Sequence, residues 1–149
     1  MNLTTFVSAA MILENGKLLV SQRKNGLWEF PGGKIETGED PRQTVERELK
    51  EELDLSVKAG PVFEVIHHHY PQRTVTMLLY LCRLTDGYEP KLLDGPVDVK
   101  WVDLGEINSE EFLAADKPLM EYLRRYPDAV LEKAEVLWKT FGPENKEKN

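Results

Sequence analysis

Residues 47–53, RELKEEL, carry three carboxylates at a spacing suited to binding a divalent cation. On a helix, residues three and four positions apart are neighbours, so Glu48, Glu51 and Glu52 fall within an arc of about 100°. Like charges so placed repel by a few tenths of a kcal/mol per pair, and a bound dication would turn that repulsion into coordination. Carboxylate oxygens suit Mg²⁺ or Mn²⁺, which retain waters and bind substrate phosphates. The ordinary alternative for such a charge run is a solvated acidic face.

A helix over residues 41–53 would position these carboxylates. Asp40 is a good N-cap, Pro41 suits the first helical position, and Gln43 completes a capping box. The apolar stripe expected to anchor this helix consists of Val45, Leu49 and Leu53. Because the acidic arc lies beside this stripe, it is not the far solvent face of the helix.

The segment before the helix, PGGKIETGED at 31–40, can bend sharply and adds the carboxylate of Glu39. Five residues separate Gly33 from Glu39, and seven separate Glu39 from Arg47. This spacing resembles the Nudix box, Gly-x5-Glu-x7-Arg-Glu-U-x-Glu-Glu-x-Gly-U, in which U is a bulky aliphatic residue. Asp54 is the one departure, since the family has glycine there as a left-handed cap. Asp tolerates that conformation better than most residues, so the chemistry is expected to be intact.

The resemblance extends over roughly residues 3–126 and points to the MutT branch of the family. The segments that carry it are GLWEFPGGKIETGE, HHHYPQRTVTMLLYLCRL, VKWVDL and FLAADKPLM. It implies an α/β fold, an α/β/α sandwich around a central mixed β-sheet, to which a C-terminal helix at about 128–141 would be an addition. We therefore expect a single domain over 1–142, followed by a solvated tail at 143–149.

The resemblance also implies an activity, the hydrolysis of a nucleoside triphosphate to the monophosphate and pyrophosphate. Mg²⁺ would be the cofactor, with Mn²⁺ as an alternative, held by Gly33 through its carbonyl, Glu48, Glu51, Glu52 and Glu39. Glu48 is also the candidate general base, and Arg47 would orient the glutamates with its rigid fork of donors. The MutT branch implies 8-oxo-dGTP or 8-oxo-GTP as substrate, hence nucleotide-pool sanitisation and DNA repair. A non-catalytic nucleotide-binding module is the less favoured alternative, because such modules often lack box carboxylates.

Substrate contacts are predicted at Arg23, Lys34, Glu29, Asp116 and Asp94. Arg23 and Lys34 are the nearest cations for the phosphates. Related enzymes have a further carboxylate six residues before the tryptophan of VKWVDL, where this chain has Gly95 with Asp94 and Asp98 on either side. A shift by one residue would restore Asp94 as an alternative base, so the sequence leaves the base open.

Asp116 allows two interpretations. It precedes KPLMEYL, with Pro118 in the first turn, and would make a natural helix N-cap. MutT-like enzymes for 8-oxo-guanine nucleotides commonly have Asn at this position, bonded to the base edge. An ionised Asp would accept from guanine N1–H and its amine together, and would match cytosine fully only when protonated. Similarity to CTP-directed relatives favours the opposite choice. We predict 8-oxo-dGTP as the substrate, with CTP or a modified pyrimidine nucleotide as the alternative.

The rest of the chain predicts the scaffold. Asn15-Gly16 indicates a hairpin, and strands are expected near 61–69 and 74–84. His67 and His69 would share one strand face, as ordinary strand residues or with one histidine at the nucleotide cleft. A helix after Asp116 is expected to present one face of Leu119, Tyr122, Leu123 and Tyr126. The stripe predicted for the terminal helix is Val130, Ala134, Leu137, Trp138 and Phe141.

Composition narrows the class of protein. Hydrophobic residues make up 41% of the 149 residues, which is enough for a core. A net charge of −7 argues against a nucleic-acid footprint. Cys82 is the single cysteine, so no internal disulfide forms, and a reducing compartment is indicated. With no apolar run near the ~20 residues of a membrane span and no basic start, we expect a cytoplasmic protein, a monomer or homodimer that does not bind membranes.

Overall fold

A computed structural model of the protein describes residues 3–86 and 89–143. Within these ranges, four strands, one helix, three strands and two helices follow one another along the chain and form an α/β fold. The strands are β1 (Leu3–Glu14), β2 (Lys17–Gln22), β3 (Trp28–Glu29), β4 (Gly32–Lys34), β5 (Ser56–His69), β6 (Arg73–Asp86) and β7 (Asp98–Asp103). The helices are α1 (Pro41–Leu53), α2 (Lys117–Arg125) and α3 (Pro127–Phe141).

The sheet is mixed, as predicted. Its main path runs β3-β2-β1-β6-β5, with β4 paired to β1 and β7 paired to β2. β1 and β6 run parallel, with Val7 opposite Met77, while the other pairs are antiparallel. The hairpin between β1 and β2 turns at Asn15 and Gly16, which have φ of 53° and 77°, as the Asn-Gly signal predicted.

Helices cover both faces of this sheet, which confirms the predicted α/β/α sandwich. On one face, α1 buries Val45, Leu49 and Leu53 against Ile12 and Tyr80. On the other face, α2 and α3 pack onto a second cluster that includes Met120, Leu123, Val130 and Trp138. Cys82 lies in the first cluster, where burial raises the pKa of its thiol, in keeping with an inert core cysteine.

The face predicted for α2 was wrong in part. Met120 and Leu123 are buried, whereas Tyr122 and Tyr126 are 42% and 53% exposed. Tyr126 has φ of −128° and ψ of 53°, outside helical geometry, so it does not continue the period of the helix. Met120, three positions before Leu123, takes the place in the core that the prediction assigned to a tyrosine.

The terminal helix α3 docks against β5 at a glycine. A Cβ at Gly60 would lie 2.5 Å from a ring atom of Trp138, so the absence of a side chain lets the indole approach. Trp138 is buried as predicted, but Phe141, in the last turn, is 58% exposed, so its place in the stripe was wrong. Apart from Pro143, the predicted tail lies outside the described residues. Among the helices of the described ranges, none is long and apolar enough to cross a membrane.

Candidate active site

Helix α1 is fixed at both ends, which sets the direction of its acidic arc. At the start, the Asp40 side chain accepts from the Arg42 amide at 2.7 Å, and Gln43 accepts from the Asp40 amide at 3.2 Å, so the predicted capping box forms. At the end, Asp54 adopts the left-handed conformation with φ of 54°. Its carboxylate pairs with Lys50 at 3.0 Å. Asp54 therefore adopts the left-handed cap conformation for which the family has glycine, as the sequence predicted.

Arg47 gathers the carboxylates that surround it. Its Nε and Nη2 donate to the two oxygens of Glu39 at 2.7 and 3.0 Å. Nη1 donates to Glu48 Oε1 at 3.0 Å and to Glu51 Oε2 at 3.1 Å. A guanidinium that makes four such bonds holds its partners in fixed orientations. This geometry matches the orienting role that the sequence suggested for Arg47.

Glu39 is held more completely than the other glutamates of the motif. Besides both bonds from Arg47, its Oε1 accepts from the Thr44 hydroxyl at 2.7 Å and from the Glu36 amide at 3.3 Å. The hydrogen bond from Arg47, followed by that from Thr44, lowers the pKa of Glu39 to about 2. Both oxygens already have protein donors, so the contacts favour a supporting role for Glu39 over that of a metal ligand.

Glu48 and Glu52 form a close carboxylate pair at the floor of the cleft. Burial, and after it the charge of Glu48, raises the pKa of Glu52 to about 8. Gly33 lies directly against Glu48, since a Cβ there would stand 2.5 and 2.7 Å from the two carboxylate oxygens. The glycine of the motif therefore permits this close approach, because a side chain there would displace the glutamate.

The donor chemistry of this pair fits a hard divalent cation. Two half-buried carboxylates repel each other, and a dication beside them would remove both that repulsion and the need for a proton. Across 3–86 and 89–143, no three His, Cys, Asp or Glu side chains are already gathered around one point as a metal site would need. Arg47 accounts for part of this, because it engages Glu39 and Glu51. The full predicted ligand set stays a prediction.

The acidic pair opens into a cleft made of two adjoining cavities. The first, of about 680 Å³, is lined by Glu48, Glu52 and Gly95 among others. The second, of about 620 Å³, is lined by Asp116 and by the turn between β5 and β6. The two cavities share one wall, formed by Arg23, Asn25, Glu29, Gly32, Gly33 and Lys34. One elongated ligand could therefore reach from the carboxylates to Asp116.

Asp116 occupies the N-cap position of α2, as the sequence allowed, but its side chain does not cap the helix. It is fully buried, and its side chain makes no capping hydrogen bond to α2. Within the described part of the chain, neither carboxylate oxygen has a hydrogen-bond partner of normal geometry. Burial, and after it the charge of Glu29, raises the pKa of Asp116 to about 7, while the backbone of Phe30 and the charge of Arg23 act in the opposite direction. An unpartnered polar group at a cavity wall indicates a ligand contact.

Arg23 and Glu29 are paired on the shared wall of the two cavities. Arg23 Nε donates to Glu29 Oε2 at 2.8 Å. Burial raises the pKa of Glu29, and the bond from Arg23 acts against that rise. Lys34 lines both cavities, as Arg23 does, so both predicted phosphate contacts lie at the junction where a phosphate chain would pass.

Neither Asp94, in the loop 91–96, nor Asp98, at the start of β7, lies at the cleft. Two backbone hydrogen bonds of 2.8 and 2.9 Å tie the loop to the last turn of α1. They place Gly95 beside Glu52, so that a Cβ built at Gly95 would lie 3.5 Å from Glu52 Oε1. Asp94 is exposed and lines neither cavity, and Asp98 is exposed and accepts from its neighbouring amide. The geometry therefore favours Glu48 over either aspartate as base.

The histidines lie away from both cavities, and the residue that follows them lies in the cleft. His67 and His69 share a face as predicted, with ring centroids 4.9 Å apart and each Nδ1 bonded to a threonine hydroxyl. None of the three histidines lines either cavity of the cleft, whereas Tyr70 does. Sequence reasoning missed Tyr70, although the turn YPQR that carries it was a visible signal.

Comparison with known proteins agrees with this geometry. Residues 4–123 match the NUDIX domain family. The chain is 35% identical over 118 residues to the 8-oxo-dGTP diphosphatase of Escherichia coli (strain K12), covering 75% of this chain and 89% of that protein. It is 48% identical to the CTP pyrophosphohydrolase of Escherichia coli over 59 residues, 36% of this chain and 44% of that protein. The solution structure of the E. coli ORF135 protein superposes with a TM-score of 0.69 at 29% identity, covering 86% and 94% of the two chains. The chain therefore belongs to the NUDIX family.

Proposed function

We propose that this protein hydrolyses nucleoside triphosphates to the monophosphate and pyrophosphate, with 8-oxo-dGTP as the favoured substrate and Mg²⁺ as the cofactor. The observation that carries the proposal is the pair of adjoining cavities, one lined by Glu48 and Glu52 and the other by the buried Asp116, which share one wall. An acidic end suits a metal-bound phosphate chain, and an enclosed end suits a base. The names of the relatives support the same reaction, since 8-oxo-dGTP diphosphatases and a CTP pyrophosphohydrolase are among them.

The negative charge of the site opposes the binding of a triphosphate. The protein carries a net charge of −7, and a triphosphate approaching Glu48 and Glu52 would be repelled. Glu48, Glu52, Glu51 and the Gly33 carbonyl would hold the divalent cation. When bound, the cation neutralises phosphate charge and makes water a better nucleophile at neutral pH. Arg23 and Lys34, on the shared wall, would contact the phosphate oxygens.

Glu48 would act as the general base. Its Oε1 is held by Arg47 at 3.0 Å, which leaves Oε2 to accept the proton of the attacking water. As the water oxygen bonds to the α- or the β-phosphorus, the bond from that phosphorus to the oxygen bridging the two phosphates breaks, and the nucleoside monophosphate and pyrophosphate are released. Arg47 keeps the Glu48 carboxylate in one orientation through this step, so its contribution is positional.

Asp116 would read the base in the enclosed cavity. An ionised carboxylate accepts from guanine N1–H and the exocyclic amine, and a neutral one accepts from N1–H and donates to O6. Guanine therefore satisfies both protonation states of Asp116. Cytosine, with an acceptor nitrogen beside its amine, satisfies the neutral form alone. The raised pKa of about 7 makes that neutral form available near neutral pH. For this reason CTP or a modified pyrimidine nucleotide stays as the second candidate.

A coupled phosphate-release assay tests the proposal. Purified protein with Mg²⁺ and added pyrophosphatase is given 8-oxo-dGTP, dGTP, CTP and 5-hydroxy-CTP, with EDTA as the blank. We expect hydrolysis of 8-oxo-dGTP that EDTA abolishes, and a melting temperature that rises with millimolar Mg²⁺ because the ion binds the native state. Absence of hydrolysis of every nucleotide, with a melting temperature indifferent to Mg²⁺ and Mn²⁺, would refute the proposal.

A further inference from the structure

Tyr70 has a hydroxyl fixed at the wall of the enclosed cavity. It lies at the turn between β5 and β6, where its amide donates to the Arg73 carbonyl at 2.8 Å. Its ring packs against His68 with centroids 4.5 Å apart. Its hydroxyl oxygen accepts from the Ala115 amide at 3.2 Å. The backbone, ring and hydroxyl of Tyr70 are thus each held by a separate contact, so the group is pre-positioned before any ligand binds.

The direction of the bond to Ala115 decides what Tyr70 can offer to a ligand. A phenol carries one proton and accepts through its oxygen. Because the oxygen is the acceptor from the Ala115 amide, the proton remains available for donation. Ala115 immediately precedes Asp116, and both residues line the same cavity as Tyr70. A donor hydroxyl and an acceptor carboxyl therefore line the same cavity, on residues that are linked through the Ala115 amide.

We propose that Tyr70 is a specificity-determining residue, whose hydroxyl donates to the carbonyl oxygen at position 6 of a purine base while Asp116 accepts from the adjacent ring N–H. The inference rests on the proposed function and deepens it. A 6-oxo purine presents an acceptor, O6, next to a donor, N1–H, which is the complement of Tyr70 beside Asp116. Adenine presents the reverse order on that edge, with an amine beside a bare nitrogen. The pair of residues therefore selects 6-oxo purines against 6-amino purines.

The test compares Tyr70→Phe with the wild type on dGTP, dITP and dATP, by kcat/KM. dITP keeps O6 and N1–H and lacks the 2-amino group, so it isolates the contact proposed for Tyr70. We expect Tyr70→Phe to lower kcat/KM about tenfold for dGTP and dITP, the size of one hydrogen bond. Turnover of dATP should change less than twofold. Tyr122→Phe is the matched control, because its hydroxyl lies outside this cavity on an exposed face of α2, and its nucleotide ranking should equal that of the wild type.

A second readout does not depend on turnover. Binding of dGMP and dAMP, measured by calorimetry with EDTA present, should show the same selective loss in Tyr70→Phe. An equal loss for every nucleotide would mean that the hydroxyl merely supports the loop at Ala115, and it would overturn the proposal. In the wild type, 6-thio-dGTP offers a weaker acceptor and should bind less tightly than dGTP, a comparison that holds even if the variant fails to fold. Absence of all hydrolysis with selective dGMP binding intact would refute the proposed function and leave the role of Tyr70 standing.

Discussion

The two ends of the cleft are assembled in different ways. The carboxylate end comes from one stretch of chain, residues 33–54, in which Gly33, Arg47 and Glu48 meet through the loop and helix they share. The enclosed end is built from segments far apart in sequence, which meet where Tyr70 bonds to the residue before Asp116. A contiguous motif can carry the shared chemistry of a family, whereas a pocket assembled across the fold can vary in what it recognises.

Both ends hold an acid with a raised pKa, for reasons that are alike in part. Burial is the largest cause for Glu52, at about 8, and for Asp116, at about 7. Next comes a neighbouring carboxylate, Glu48 in one case and Glu29 in the other. At the carboxylate end the neighbouring Glu48 is held in a fixed orientation by Arg47. At the enclosed end no side chain of the described residues makes a hydrogen bond of normal geometry to Asp116.

The largest effect is expected at the carboxylate end. Glu48→Gln should lower kcat by about 10²-fold or more, because it removes the proposed base and a metal-facing charge while keeping the shape of the side chain. The melting temperature should stay the same or rise, since one member of a repelling pair becomes neutral. Steady-state kinetics at saturating Mg²⁺ measures the effect. Near wild-type turnover would remove Glu48 from both roles.

A matched variant on the same helix controls for this result. Glu46 lies on the other side of α1, where its carboxylate accepts from the Ala59 amide at 3.0 Å. Glu46→Gln can keep that bond through its amide oxygen and changes the helix charge by the same amount. Its kcat should stay within about twofold of the wild type, so a large loss in Glu46→Gln would show that helix charge alone controls activity.

The next effect concerns the backbone that supports Glu48. Gly33→Ala places a methyl group against the Glu48 carboxylate, so the glutamate or the loop must move. We expect kcat to fall by about tenfold or more, since a shift of about 1 Å can cost about 10²-fold. Gly105→Ala is the control, because a Cβ there meets nothing within 4 Å. Equal activity in the two variants would mean that Glu48 has more room than the contacts indicate.

The contrast between the contiguous carboxylate end and the enclosed end also explains which features the sequence predicted. The spacing of Gly33, Glu39 and Arg47 and the caps of α1 are local, so the carboxylate end was predictable in identity and orientation. The β1–β2 hairpin was predictable for the same reason, because Asn15-Gly16 encodes its own turn. Local pattern did not separate a cap from a ligand contact at Asp116. That distinction depends on burial by distant segments.

Two other positions show why the remaining features could not be predicted. The place of Tyr70 depends on a hydrogen bond to Ala115, 45 residues away in sequence, which no period or spacing reveals. On α2, the distribution of apolar residues allowed more than one face. Met120 is buried in the core, whereas Tyr126 lies beyond the last residue of the helix. Contacts across the fold decide such cases, and sequence patterns report only on neighbours along the chain.

Asp116 offers the next test, at the enclosed end. Asp116→Ala should raise KM for the preferred nucleotide and flatten discrimination among nucleotides, while kcat falls less than in Glu48→Gln. Specificity would then be separable from chemistry, as the two ends of the cleft suggest. Binding by the wild type is also measured at pH 6 and at pH 8.5. Raising the pH should weaken the binding of CTP more than that of 8-oxo-dGTP, because cytosine requires the neutral form of Asp116. An unchanged nucleotide ranking in Asp116→Ala would assign base selection to other residues.

Stability gives an independent measure of the same carboxyl. The pKa of Asp116 in the folded state, about 7, lies above its ordinary value of 3.8. The folded state therefore holds the proton more tightly, and stability falls as pH rises from about 4 through about 7. Asp116→Asn cannot ionise, so its melting temperature should exceed that of the wild type by more at pH 8.5 than at pH 5. Glu29 and Arg23, which face Asp116, are present in both proteins. Asp98→Asn, at an exposed site, should show no such difference.

The smallest effect is expected at Thr44, which supports the carboxylate end from beneath. Thr44 is fully buried, and its hydroxyl donates to Glu39 Oε1 at 2.7 Å. Glu39 in turn holds Arg47, which holds Glu48. Thr44→Val keeps the shape and removes the hydroxyl, so Glu39 retains its bonds from Arg47 and loses one donor. We expect kcat to fall about threefold, the half-saturating Mg²⁺ concentration to rise by a similar factor, and stability to fall by about 1 kcal/mol.

Restoring the hydroxyl distinguishes this role from packing. Thr44→Ser replaces the donor and loses a methyl group, so it should recover the Mg²⁺ dependence of the wild type even if part of the stability is lost. A hydrophobic support role predicts the opposite order, with Thr44→Val closer to the wild type than Thr44→Ser. If Thr44→Val instead lost as much turnover as Glu48→Gln, Arg47 would be unable to hold Glu39 and Glu48 alone. The carboxylate end would then depend on the buried hydroxyl as strongly as on the guanidinium.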